Sequence, residues 1–289
     1  METLDLSVFP QPDKNDWLKV AEKQLKGEDP YINLSWESYG ITQLKPYYDS
    51  EDTQDLSELT SFFSQLSPHR WKLYEMVHVL SEKKANTEAL AALMGGCDGI
   101  IFETKKDFDE NTLLKDIDPS ICDISVPTSG EKDWITGMNT NNCKVQQSEE
   151  QTPAGQIGSL INSLPDSVHW IKRFAFPDFF VEIATIRALR FLVDTLNGRS
   201  DIRIHTTIPP HDSEEHQWFL NTSAGLASIL GGTHSLDMPT SIGDKRITRN
   251  VANIIRDESG IETYTDQCGG SYLVESLTNQ IILQVKETL

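Results

Sequence analysis

The run VHWIKRFAF (168–176) is followed by PDFFVEIATIRALRFLVDTL (177–196) and then by IRIHTTI (202–208). The first piece predicts a long strand. After the break at Pro177, 178–196 is the clearest helix of the chain. Val181, Ala184, Ala188, Leu192 and Leu196 fall on one stripe of it, and Glu182, Arg187, Arg190 and Asp194 on another. The two alanines allow close approach to a sheet. Arg190 and Asp194 sit one turn apart and are placed to pair, an interaction of about 0.3–0.5 kcal/mol. The third piece alternates around threonine and histidine and reads as a second strand. Strand, helix and strand at this spacing form a βα unit of a parallel sheet.

The same alternation extends to both sides. Strands are predicted at 73–79, 99–102, 122–126 and 233–236, with weaker ones at 134–138 and 143–147. Helices are predicted at 86–94, 111–117, 157–164, 214–230 and 245–256. Eight candidate strands would close a barrel. The two weak ones have little room for a helix between them, so the count alone leaves an open doubly wound sheet as the alternative.

The chain has 289 residues, 38% hydrophobic and 24% charged, which is globular composition. A closed α/β barrel takes about 250 residues, leaving enough for a terminal extension. Its net charge of −19 repels nucleic-acid backbones and anionic lipid, which argues against both as partners. No apolar run approaches the roughly 20 residues of a membrane span. The start, 1–9, carries Glu2 and Asp5 without a basic region or apolar core, so it does not read as a secretory signal. Cys97, Cys122, Cys143 and Cys268 are scattered, with no CxxC pair and no metal-ligand spacing. They read as reduced, and a cytoplasmic location is expected.

Residues 1–55 read as an arm with a linker, and 56–289 as the main domain. In the arm Trp17, Val20, Ala21 and Leu25 recur near the helical period, and Gly27 can end that helix. Asp29-Pro30 turns the chain, and Leu34 and Trp36 begin an extended stretch that runs to Pro46-Tyr47-Tyr48. The acidic stretch 49–60 reads as the linker.

Three segments together resemble the methylmalonyl-CoA mutase family, in that family's order. The first is Trp17 through Gly27, then Leu34-Ser35-Trp36-Glu37, Gly40-Ile41 and Pro46-Tyr47-Tyr48. The second is Phe179-Phe180-Val181-Glu182-Ile183-Ala184 with Arg187-Ala188, similar to FFxEIAxxRAxR. The third runs from Gly231-Gly232-Thr233-His234-Ser235-Leu236 through Arg246, Arg249-Asn250, Glu258-Ser259-Gly260-Ile261 and Gly269-Gly270-Ser271-Tyr272 to Val274-Glu275 and Leu277-Thr278. It is similar to the GGTxSL, RxxRN, ESGI and GGSYxxExLT motifs.

The resemblance implies a TIM-type (βα)8 barrel whose acyl-CoA substrate threads a polar axis, with adenosylcobalamin held by a separate domain. It also implies that the arm contacts another subunit, making Trp17, Trp36 and Tyr47 candidate contact residues. Ser125, Thr128, Thr206 and Thr207 lie on or next to strands, which is compatible with a polar axis, although threonine favours strands in any case. Thr128, Gln147, His205, Thr207 and His234 are the candidates to line an acyl-CoA channel. His205 and His234 equally fit hydrogen-bonded structural roles.

The chain departs from active family members at the chemistry. No DxHxxG cobalt-ligand motif occurs, so no cofactor is expected to be bound by this chain alone. The RGPYxTMY-like tyrosine motif is missing from the segment after the arm. The nearest counterpart of GYHxQEAGA, at 148–156, has no histidine, and where HTNSxDEA is expected the chain reads Asp237-Met238-Pro239-Thr240. A radical rearrangement needs a sealed cavity and a group polarising the thioester carbonyl. No catalytic residue is therefore assigned. The expected role is a small, non-catalytic barrel subunit partnering a cobalamin-carrying large subunit as a heterodimer, or a homodimer. The alternatives are the barrel of a split isomerase served by a separate cobalamin-binding chain, and a free-standing acyl-CoA binding module. No Arg/Lys cluster along the sequence offers a basic entrance for CoA phosphates. His211, Asp212, Glu214, Glu215 and His216 lack metal-site spacing and read as solvated loop charge, so no metal site is assigned. Arg246 and Arg249 are candidates to pair with Glu258.

Overall fold

The computed structural model describes residues 13–67, 70–104, 107–125, 133–136, 140–148, 150–162, 164–239 and 244–289. In chain order the elements are α1 (Lys14–Gln24), α2 (Pro30–Asn33), β1 (Trp36–Ser38), β2 (Ile41–Leu44), α3 (Ser57–Ser64), β3 (Lys72–His78), α4 (Glu82–Met94) and β4 (Gly99–Glu103). There follow α5 (Glu110–Leu113), β5 (Asp123–Ser125), β6 (Asp133–Thr136), β7 (Thr140–Ser148), α6 (Pro153–Ile161), β8 (Val168–Phe174) and α7 (Phe179–Asn197). The chain ends with β9 (Arg203–Thr207), α8 (Glu214–Gly231), β10 (Ser235–Asp237), α9 (Lys245–Ser259) and α10 (Tyr272–Thr288).

The fold is α/β. Strands β8, β9, β10, β3, β4 and β5 pair side by side in that order, all parallel, as one curled sheet. β7 adds to it in parallel beside β8, and β6 joins β5 to β7 antiparallel to both, which closes the ring. Among the described residues eight βα units are therefore not present. The physical reason lies in the connections: a parallel crossover needs a dozen or more residues, whereas β6 and β7 are separated by only a few and must reverse.

Alternation places one face of each strand inward and the other under the helices. Leu73, Val77, Ile100, Phe102, Ile124 and Leu236 pack with Ala85, Ala89 and Ala92 of α4 and Ala224 of α8. Ile171 and Ile204 pack instead with α6, α7 and α10 through Ile157, Leu160, Leu189, Ile281 and Val285. The stripe read on α7 holds except for Leu196, which is exposed, and most of the helix is buried all round.

The amino-terminal segment is docked on this scaffold. Ile41, Leu44, Leu59 and Phe63 are buried in the same cluster as α7 and α10. Ser276 Oγ and Gln280 Nε2 of α10 donate to the carbonyls of Asp52 and Thr42, and Ser38 Oγ donates to Asp178 Oδ2 at 2.7 Å. The stretch read as a linker contains a capped 3-10 turn (Ser50–Thr53) and helix α3, whose Leu59 and Phe63 supply the burial.

Candidate functional site

The inward side chains decide what the axis can hold. Tyr74 of β3, Ile101 of β4 and Trp170 of β8 are buried against one another, and the His205 imidazole stacks 5.6 Å from the Tyr74 ring. Gly99 makes room for this layer. A Cβ there would stand 2.9 Å from the Tyr74 ring and 2.6 Å from the Asp123 carbonyl oxygen. Among the described residues the axis is thus filled at mid-height by aromatic rings.

Two buried carboxylates organise the polar groups around the rings. Asp123 of β5 accepts hydrogen bonds from Tyr74 Oη and Lys72 Nζ, both at 2.5 Å through Oδ2. Burial, and then the Asp123 charge, push the Tyr74 phenol well above its usual range. Asp237 of β10 accepts from His205 Nε2 at 2.6 Å and from Thr207 Oγ1 at 2.5 Å. His205 Nδ1 lies 2.8 Å from Ser235 Oγ. Burial pushes Asp237 up, but hydrogen bonds from His205 and Thr207 and the Lys172 charge hold it below the usual carboxylate value. Burial pushes His205 below its ordinary value, outweighing the carboxylate. The consistent state is a neutral imidazole donating through Nε2 to ionised Asp237 and accepting from the Ser235 hydroxyl at Nδ1.

The fold also assembles cations that are scattered in sequence. Lys72 and Arg203 are the first residues of β3 and β9, so both stand at the amino-terminal mouth of the axis. Lys172 lies one layer deeper, in register with His205. Arg203 lies over the Trp170 ring at 5.8 Å, and neither it nor Lys172 makes an ion pair among the described residues. At the opposite end, Tyr74, Met76, Asp237, Met238 and Pro239 help wall a pocket of about 100 Å³. A site that encloses a drug-sized ligand takes roughly 300 Å³ or more.

His205 and Thr207 are thus brought together on Asp237, which the sequence reading missed, along with Lys72, Tyr74, Asp123 and Trp170. Their common signal is strand parity, readable once the strand ends are known. His234 does not belong with them. It precedes β10, and its Nδ1 accepts from the Ile204 backbone N–H at 3.1 Å. Thr206 points outward and shares a 2.9 Å hydrogen bond with Thr233. Gln147 pairs through its backbone with Lys172, its side chain lying outside the described residues, as does the whole of Thr128. Arg249 pairs with Glu75 at 2.6 Å and Arg246 with Asp244 at 3.3 Å, so the pairing with Glu258 is replaced by contacts to β3 and to the start of α9. Arg190 does not pair with Asp194; it turns over the backbone of Gly232 instead. His211 and His216 lie edge to face at 4.9 Å, and no group of three metal-ligating side chains occurs among the described residues.

In the arm Trp17 stacks on Tyr47 at 5.1 Å and meets Tyr31 edge-on at 5.6 Å, so these rings are largely used within the segment. Trp36 remains 45% exposed.

The motif residues outside the axis are scaffold. Arg173 and Glu182 are fully buried and joined by two hydrogen bonds of 2.6 and 2.8 Å, and Gln156, Ser228 and the Phe176 N–H complete the set. Arg187 reaches Asp266 at 2.5 Å and Glu275 at 2.9 Å, tying two separated motifs and the segment before the second of them together.

These features define an α/β protein with a curled parallel sheet around a polar axis filled by its own side chains. The methylmalonyl-CoA mutase family model matches residues 172–289. The probable methylmalonyl-CoA mutase, mitochondrial, of Caenorhabditis elegans is 34% identical over 36% of this chain and 17% of its own length. The methylmalonyl-CoA mutase of Escherichia coli (strain K12) is 33% identical over 38% of this chain and 18% of its own length. That of Homo sapiens, described as mitochondrial, is 32% identical over 36% and 17%. Residues 172–289 are thus similar to the methylmalonyl-CoA mutase family, and the matched part spans less than a fifth of these relatives. Among the described residues no helix is long and apolar enough to cross a membrane.

Proposed function

We propose that the chain is a non-catalytic barrel subunit that partners a cobalamin-dependent methylmalonyl-CoA mutase chain, with 1–55 as its contact segment and 56–289 as a shortened mutase barrel. The observation that carries this reading is the filled axis. Where an acyl-CoA chain would thread, Tyr74, Ile101 and Trp170 occupy the space. Asp237, standing where the active family reads histidine, is consumed by His205 and Thr207. Adenosylcobalamin belongs to the partner in this reading. The exposed Trp36 supports the contact role of the arm, while Trp17 and Tyr47 act by holding its shape. The scattered cysteines support a reducing compartment such as the cytoplasm.

A second reading has its own observation. Lys72, Lys172 and Arg203 supply the basic entrance that the sequence does not display, which favours a CoA ester whose phosphates rest at the amino-terminal mouth of a split isomerase barrel. Calorimetric titration separates the two. With methylmalonyl-CoA and a candidate large subunit titrated in parallel, the subunit reading expects tight association with the large subunit and no heat from the ester. Micromolar ester binding without association would overturn it in favour of the second.

A further inference from the structure

Lys172 is a cation that the fold takes partly out of water and leaves unpaired. It lies within β8, half-buried, and makes no ion pair or hydrogen bond among the described residues. Lys23, Lys26, Lys83, Lys115 and Lys286 also lack a carboxylate partner, but they stand exposed on helices or turns, where water solvates them. A lysine amine that no carboxylate holds is free to act as a nucleophile toward a carbonyl carbon.

Parity and register place this amine. Trp170 and Lys172 project from the same face of β8, and Trp170 is buried against Tyr74 and Ile101 inside the ring. Lys172 therefore points inward as well, beside His205 of β9. Its charge is felt by both His205 and Asp237. Arg203, in register with Trp170, lies over the same indole at 5.8 Å and has no carboxylate partner among the described residues. Lys172 and Arg203 thus stand one strand across and two residues along from each other, about 8 Å between Cα atoms. Lys72, the third cation at this end, is already neutralised by Asp123 at 2.5 Å. Two unpaired cations flanking one indole make a place for an anion with a short apolar body.

We propose that Lys172 is a covalent attachment point for a short aldehyde bearing a terminal carboxylate, held as an imine with the carboxylate on Arg203 and the carbon chain along Trp170. The amine adds to the carbonyl carbon, and the carbinolamine then loses its oxygen as water together with both amine hydrogens. No oxidant or reductant takes part, and addition of water reverses the step. Asp237, ionised between His205 and Thr207, supplies counter-charge once the imine is protonated. The guanidinium fork of Arg203 meets a carboxylate with two parallel hydrogen bonds. Attachment needs no partner chain, so it does not depend on the subunit reading. It competes with the CoA-phosphate reading for the same cations, and covalency tells the two apart.

Succinic semialdehyde is the probe, added to the full chain in mildly alkaline buffer. Borohydride then reduces the imine to a stable secondary amine, which intact mass and peptide mapping locate. A single adduct on Lys172 is expected at concentrations that leave exposed Lys83 and Lys286 largely unmodified. Butyraldehyde, which lacks the carboxylate, should need about tenfold more for the same labelling, as should succinic semialdehyde with Arg203→Gln. Lys172→Arg keeps the charge and should abolish the adduct; should that variant not fold, the wild-type map decides alone. The proposal is overturned by labelling spread over exposed lysines without preference for Lys172, or by equal labelling with butyraldehyde. Calorimetric binding of methylmalonyl-CoA with no trapped adduct also overturns it, and assigns these cations to the CoA phosphates instead.

Discussion

His205 Nε2 stands 2.6 Å from Asp237 Oδ1 at the centre of the sheet, with both side chains removed from water. The pair joins neighbouring strands β9 and β10, and each residue has a second partner, Ser235 or Thr207. Breaking such a pair from one side leaves a buried charge or donor unmatched, at a cost of about 3–5 kcal/mol. Asp237→Ala should therefore lower the urea midpoint by more than any single exposed substitution. Retention of the wild-type midpoint would show that water reaches the pair.

The same pair gives a pH dependence. Burial holds the folded-state pKa of His205 below the unfolded value of about 6.5. Between those two values the unfolded chain binds a proton that the folded chain does not, so acid favours unfolding. The contribution is complete above about pH 6.5 and is lost as pH falls from there through the folded value. Asp237, also lowered, adds a second loss in the acidic range below its own unfolded value. Urea midpoints between pH 8 and 5 should fall more steeply for the wild type than for His205→Gln. Parallel slopes would refute a neutral buried imidazole.

Gly99→Ala tests the packing of the axis. Its Cβ would meet the Asp123 carbonyl oxygen at 2.6 Å as well as the Tyr74 ring, and backbone cannot move aside as a side-chain tip can. Overpacking of this kind costs about 1–3 kcal/mol. Removing the ring as well, in Gly99→Ala/Tyr74→Ala, should not restore stability, because the closest contact remains. Recovery on chemical denaturation would mean that the ring alone sets the constraint.

Much of the fold was legible because its signals are local. The helix stripe Val181, Ala184, Ala188 and Leu192 and the strands on either side of it follow from periodicity, and the structure buries them as read. The α10 helix is absent from the predicted elements, although Val274, Leu277, Ile281 and Val285 recur at helical spacing. The antiparallel turn of β6 follows from a connection too short for a crossover. The site was less legible. Lys72, Asp123, Lys172, His205 and Asp237 come from five strands, and their meeting depends on register, which the sequence carries only through the hydrophobic pattern. Arg190 is the plainest failure, since helical spacing offers it Asp194 while the three-dimensional neighbour is the backbone of Gly232.

Arg173 and Glu182 should behave as a unit. Both are wholly buried, and Glu182 also receives Ser228 Oγ and the Phe176 N–H. Glu182→Gln leaves a buried guanidinium without its counter-charge and should cost about 3–5 kcal/mol. A double replacement, Arg173→Met/Glu182→Leu, removes both desolvation costs but strands the Phe176 N–H and the Gln156 Oε1 acceptor, while the Ser228 hydroxyl keeps the Ala224 carbonyl. Its loss should be smaller than that of Glu182→Gln while remaining measurable, at about 1–3 kcal/mol. A double variant less stable than the single would show that the ion pair outweighs its desolvation.

The arm separates two kinds of aromatic residue. Trp17 stacks on Tyr47 and touches Tyr31, so Trp17→Ala removes contacts made within the chain and should lower its own stability. Trp36 is 45% exposed on a short strand whose partner β2 is anchored by buried Ile41 and Leu44. Its loss should change the stability of the isolated chain by no more than about 0.5 kcal/mol. If the arm is a contact segment, Trp36→Ala should still weaken association with the large subunit, because exposed aromatics on a rigid support are typical anchors of interfaces. The decisive comparison is between the two variants. Weaker association from Trp36→Ala at unchanged urea midpoint places the partner on the outer face of the arm, whereas weakening only in Trp17→Ala would mean that the arm contributes its shape and the partner binds elsewhere.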